Sequence, residues 1–161
     1  MKEGFRRRRY LSPREPVSDV WFLVKNTAGV FRMLVKRTIS PAFRERLMLA
    51  VTGVYGCRFC TWVHTREALR SGLTTEGITT LLEGTVNGCP TEEALAVLYA
   101  QHWADTDAHP APEAARMLED SYGREKAQAV NLVLRMIRIG NLTGNFFHYL
   151  LYRVSFSRLN G

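Results

Sequence analysis

Apolar residues recur along this chain at spacings of three and four, with polar residues between them, as in helices that bury one face. The alternating β-branched runs that argue for strands are missing. A first helix is predicted over about 17–37, where Val20, Leu23, Val24, Phe31, Leu34 and Val35 form a stripe expected to face a core and Gly29 weakens the middle. Ser40-Pro41 supplies an N-cap followed by proline at the first helical position, so a second helix is predicted from there to about Thr52. Gly53 and Gly56 are expected to bracket a break, and a third helix then runs from about Cys57 to Ser71-Gly72. Thr74 opens a fourth helix reaching about Thr85, and Pro90-Thr91 opens a fifth through TEEALAVLYAQHWAD, acidic in its first turn as the helix dipole favours. A sixth spans about 112–121 and stops at Gly123. The longest runs from about Arg124 to Ser155, with Val130, Leu134, Ile137 and Phe147 along one side. In that helix Gly140 and Gly144 allow either a kink or close contact with a neighbouring helix. The pattern predicts an all-α bundle of about six to seven helices.

Length and composition keep that picture simple. The 161 residues, 46% of them hydrophobic, can bury one core without disulfide staples, and no internal repeat suggests a solenoid. The net charge of +7 is uneven: residues 1–16 hold six basic and two acidic groups, net +4, which leaves +3 for the other 145 residues. Residues 1–16 are therefore read as a basic, disordered and solvated tail, and residues 17–161 as the helical domain. The Arg6–Arg9 run could touch nucleic acid, anionic lipid or an acidic partner, but no aromatic platform for bases accompanies it, so no nucleic-acid binding is expected. No apolar stretch approaches the ~20 residues of a membrane span, and no secretory h-region follows the arginines. The expected location is cytoplasmic.

One stretch carries chemistry: Cys57-Arg58-Phe59-Cys60-Thr61-Trp62-Val63-His64, or CxxCxxxH. At ~100° per residue a helix gathers the two thiols and the imidazole on one face. The first helical turn offers unpaired N–H groups and partial positive charge, both of which favour a thiolate. Two cysteines three apart can close into a disulfide, which gives a reversible dithiol/disulfide couple. His64, one turn past Cys60, can carry the proton. Glu45 precedes Cys57 by twelve residues, on the preceding helix. A carboxylate folded back to His64 would complete a proton relay, whereas Glu45 within Arg44-Glu45-Arg46 taken alone reads as a solvated charge.

Three other readings of the motif stand beside the redox one. Zinc could take Cys57, Cys60 and His64, with Cys89 or Glu45 as the fourth ligand, although no second CxxC or HxxxH is present. A non-enzymatic helical oligomer could use the motif to bind that zinc or to sense redox state. Both cysteines could instead simply pack in the core, as Cys89 before Pro90 is expected to do. No metal or tightly bound cofactor is required by the redox reading.

The segment RERLMLAVTGVYGCRFCTWVHTREALRSGLTTEGI resembles the AhpD-like branch of the carboxymuconolactone decarboxylase family, with Glu45, Cys57, Cys60 and His64 at the branch's signature spacing. EEALAVLYAQHWAD and NLTGN resemble later family features, so the likeness spans roughly residues 40–150. The resemblance implies an AhpD-like helical fold that forms homo-oligomers, trimers or hexamers. It also implies thiol-dependent reduction of hydroperoxides, with electrons from a dithiol reductant protein such as one carrying a lipoyl group. Carried over by position, Cys60 is the more activated thiolate and Cys57 its disulfide partner, with His64 and Glu45 as the relay. The helix-dipole argument favours the other cysteine, the one nearer the N-terminus. Phe59 stands where the prototype peroxidase has a histidine, which removes one polar contributor. The family's decarboxylase branch, a lyase alternative on the same fold, does not depend on this cysteine pair.

Overall fold

The computed structural model describes residues 7–36 and 38–159, with backbone alone at Leu34 and at 156–159. Among the described residues the regular elements are seven helices: α1 (Arg14–Lys25), α2 (Thr27–Lys36), α3 (Pro41–Tyr55), α4 (Arg58–Arg70), α5 (Thr75–Leu82), α6 (Thr91–Asp105) and α7 (Pro112–Leu159). Helix α3 is the axis, packed against α4, α5, α6 and α7. Nine of its fifteen residues are buried, Leu47, Leu49 and Val51 completely. Its start follows the sequence signals: Pro41 occupies the first turn and Ser40 Oγ accepts the Phe43 amide at 3.1 Å. Gly56, at φ 67°, ends it in the left-handed region where a side chain would be strained. The expected break does not begin at Gly53, which lies inside α3. A Cβ there would come within 2.6 Å of Leu82 O, so the residue admits the end of α5.

The predicted first helix is two helices, and Arg37 lies outside the described residues. At Asn26 the side-chain amide donates to Phe22 O at 2.8 Å, and Thr27 Oγ1 donates to Val24 O, so side chains compete with the helical ladder. Four of the six residues of the predicted apolar stripe also face away from the core. Val20, Val24, Phe31 and Val35 are exposed, as are Val17 and Trp21, while Phe22 and Leu23 pack on the core. The cause is Asp19, which is 1% exposed. Its carboxylate accepts from Tyr10 Oη at 2.7 Å, from Arg135 Nη1 at 2.6 Å and from Arg138 Nη1. Arg138 Nη2 donates in turn to Asp107 at 2.8 Å. A carboxylate with three donors is fixed inside, and the rest of α1 rotates around it.

That cluster also corrects the expectation of a solvated arm. Met1–Arg6 lie outside the described residues, but from Arg7 onward the chain runs over the helical body. Tyr10 is buried, and Arg8 Nη1 donates to Ala104 O at 2.7 Å, at the carbonyl-rich end of α6. Arg9 lies 3.9 Å above the Tyr149 ring. Positive groups there meet carbonyls and an aromatic face of the same chain.

The last helix behaves as two segments. Gly123 has non-helical angles, φ 74° and ψ 158°, where the pattern placed a stop. Beyond it Val130, Leu134 and Ile137 are buried as expected, but Phe147 is exposed. Ten residues past Ile137 at ~100° each, Phe147 has turned ~80° off the buried line. Among the described residues no helix is long and apolar enough to cross a membrane.

Replacing Asp19 with alanine leaves Arg135 without its carboxylate and the buried Arg138 with Asp107 alone. A loss of about 3–5 kcal/mol in unfolding free energy is expected by urea denaturation. A loss below about 1 kcal/mol would show that the cluster does not hold α1.

Candidate functional site

The end of α3, the start of α4 and the middle of α7 converge on the cysteines. Cys57 follows Gly56 directly and is the N-cap of α4, with extended backbone and its Sγ accepting the Cys60 amide at 3.3 Å. Cys60 occupies the first turn, and the two sulfurs are hydrogen-bonded at 2.8 Å as free thiols. The arrangement separates them electronically. The Cys60 S–H donates to Cys57 and, against the cost of burial, lowers the Cys57 pKa to about 6; the Cys60 and Phe59 amides and the Arg7 charge add to the effect. Cys60 moves the other way, pushed up by holding the shared proton and by burial.

Helix α7 can approach this pair because Gly144 has no side chain. A Cβ on Gly144 would lie 2.8 Å from Cys57 Sγ, whereas one on Gly140 would make only ordinary contact with Cys60 Sγ, at 4.0 Å. Gly144 thus serves close contact between helices. Flanking asparagines fix the register. Asn141 Nδ2 donates to Thr52 Oγ1 at 3.1 Å, while Asn145 Nδ2 donates to Tyr55 O at 2.9 Å and to Arg8 O at 2.8 Å. Asn141 and Asn145 are both buried.

Glu45 and His64 form the second pair. Glu45 is 2% exposed, so it is not the solvated charge that its basic neighbours suggest. One oxygen meets His64 Nδ1 at 2.8 Å and the other accepts from Arg44 Nε at 3.2 Å. An ionised carboxylate only accepts, so a neutral His64 donates from Nδ1 and keeps Nε2 as a base. Neither His64 nor Glu45 hydrogen-bonds directly to either sulfur. The zinc alternative needs three or more ligands to converge, and among the described residues no three His, Cys, Asp or Glu side chains do so. Cys89 is half-buried in the turn before α6, with its thiol pKa raised by that burial.

A cavity of about 510 Å³ opens beside Cys57, lined by Arg7, Arg58, Phe59, Phe147, His148 and Leu151 among others. Cys60 is not part of its lining. Sequence reasoning identified the four motif residues but missed Asn145 and the place of Arg7. The available signal for the first was a pair of asparagines four apart on an otherwise apolar helix face.

Residues 21–102, half of the chain, match the family model for the carboxymuconolactone decarboxylase family. The match includes Glu45, Cys57, Cys60 and His64 and ends before α7. No curated protein and no solved structure matches the chain.

The Cys57 thiolate should govern alkylation. Iodoacetamide labelling followed by mass spectrometry should show Cys57 modified with a half-maximal rate near pH 6, and Cys60 unmodified at that pH. In Gly144→Ala the displaced sulfur loses its partner, and the midpoint should move towards the ordinary cysteine value of ~8.5. An unchanged profile in that variant would refute the role given to Gly144.

Proposed function

The chain belongs to the carboxymuconolactone decarboxylase family, and from that premise we propose that it is a thiol-dependent hydroperoxide reductase whose Cys57–Cys60 couple is recharged by a dithiol reductant. One observation carries the reading: two free thiols 2.8 Å apart, one with a lowered pKa beside a cavity and the other keeping its proton. A lyase would have no use for that asymmetry.

Cys57 thiolate attacks the outer oxygen of the hydroperoxide. The O–O bond breaks, Cys57 becomes a sulfenic acid, and the alkoxide takes a proton to leave as the alcohol. Cys60 then attacks Cys57 Sγ. Its thiol proton passes to the base formed by His64 with Glu45, one helical turn away, and the expelled hydroxide leaves as water. A Cys57–Cys60 disulfide results. A dithiol donor, such as a lipoyl-type group on a reductant protein, exchanges with it, returning both thiols and leaving its own disulfide. The sum is hydroperoxide plus dithiol giving alcohol, water and disulfide.

This assigns the attack to Cys57, whereas family position alone implies Cys60. Lowered pKa, the N-cap location and the cavity all favour Cys57. A couple that must return to dithiol suits the reducing cytoplasm. The exposed stripe Val17, Val20, Trp21 and Val24 suits a homo-oligomer, a trimer or hexamer, in which that face is covered.

The test uses tert-butyl hydroperoxide and reduced lipoamide. Cys57→Ser should abolish turnover. Cys60→Ser should form a sulfenic acid on Cys57, trapped by dimedone, but no disulfide. His64→Ala should slow disulfide closure roughly 100-fold or more, with little effect on the first step. Full turnover in both serine variants would end the proposal.

A further inference from the structure

The cavity beside Cys57 is much larger than the smallest peroxide needs. At about 510 Å³ it falls within the roughly 300–1,000 Å³ of organic-ligand sites and exceeds tenfold the ~30 Å³ share of one water. Its walls are apolar: Phe59, Ile139, Phe147 and Leu151, of which Phe59 and Phe147 are 66% and 60% exposed. Among the described residues its charge has one sign: Arg7 and Arg58 line it, and no aspartate or glutamate does. His148, whose Nδ1 lies 3.5 Å from Arg7 Nη1, stands beside that charge. An apolar hollow with only positive charge complements a molecule that is apolar along its length and negative at one end.

We propose that this cavity binds an amphiphile with an anionic head, so that the hydroperoxide offered to Cys57 is carried on an apolar chain ending in a carboxylate or phosphate. Arg58 and Arg7 take the head, by charge-assisted hydrogen bonds that a neutral alcohol cannot match. The chain lies along Phe147 and Leu151, and the peroxide group reaches Cys57. The chemistry is the O–O cleavage described above, with the head and chain retained on the product alcohol. The identity of the reacting group rests on the peroxidase reading; the binding of the head and chain does not.

Binding is therefore tested without peroxide. Decanoate, decyl phosphate and decanol are titrated calorimetrically into the reduced full chain, and each is assayed for protection of Cys57 from iodoacetamide. One of the two anions should bind at least tenfold more tightly than decanol and slow the alkylation, and the tighter one identifies the head. That preference should fall below threefold in Arg58→Gln or in Arg7→Gln. Equal affinity for all three compounds overturns the proposal. So does anion binding that leaves Cys57 alkylation unchanged, or a preference that survives in both variants. The peroxidase reading fails separately, if tert-butyl hydroperoxide leaves the dithiol reduced.

Discussion

The site depends on the approach of α7 to two sulfur atoms. A Cβ at 144 would come within 2.8 Å of Cys57 Sγ, closer than real packing permits, so the cysteine pair and the glycine are one design. With α7 in place the sulfurs are buried, and they share one hydrogen bond. Burial alone would raise both thiol pKa values. The shared proton and the amides at the start of α4 reverse that for Cys57, and the cost falls on Cys60. The opposite shifts of the two thiols thus come from their shared hydrogen bond, with burial adding to the rise at Cys60.

A buried charge has comparable influence on the placement of α1. Asp19 draws Tyr10, Arg135 and Arg138 into one cluster, and α1 must present its polar residue inward. Four apolar side chains are turned to solvent as a result. Hydrophobic burial ordinarily sets the roll of a helix, at ~25 cal/mol per Å². Here a satisfied ion cluster overrules it, because a buried guanidinium without its carboxylate costs more than an exposed valine.

The sequence made helix content and most helix boundaries legible, since caps at Ser40 and Thr74, the Pro90-Thr91 start and the stop at Gly123 are local signals. The four motif residues were legible for the same reason, being close in sequence or at a family spacing. What stayed hidden was non-local. Periodicity assigns a stripe to a core without knowing that Asp19 has arginine partners 116 and 119 residues away. It cannot say which of two uses Gly144 has, nor that an arginine-rich segment finds its partners within the same chain. The activated cysteine was ambiguous because position within the motif and position in the helix dipole gave opposite answers. The sulfur–sulfur hydrogen bond, a side-chain geometry that spacing alone does not give, favours the second.

The single amide of Asn145 joins Tyr55, 90 residues earlier, to Arg8, 137 residues earlier. Contacts of such sequence separation form late in folding, since long loops must close before they bring any return. On the ribosome, α3 and α4 emerge with CxxC long before α7 does. Throughout that interval the dithiol has neither its glycine floor nor its N-terminal cover, although the sulfur–sulfur hydrogen bond and the first amides of α4 are already within its reach. The far wall of the cavity beside Cys57, with Gly144, Phe147 and Leu151, is therefore the last part of the site to leave the ribosome, and the hollow exists only once α7 has docked.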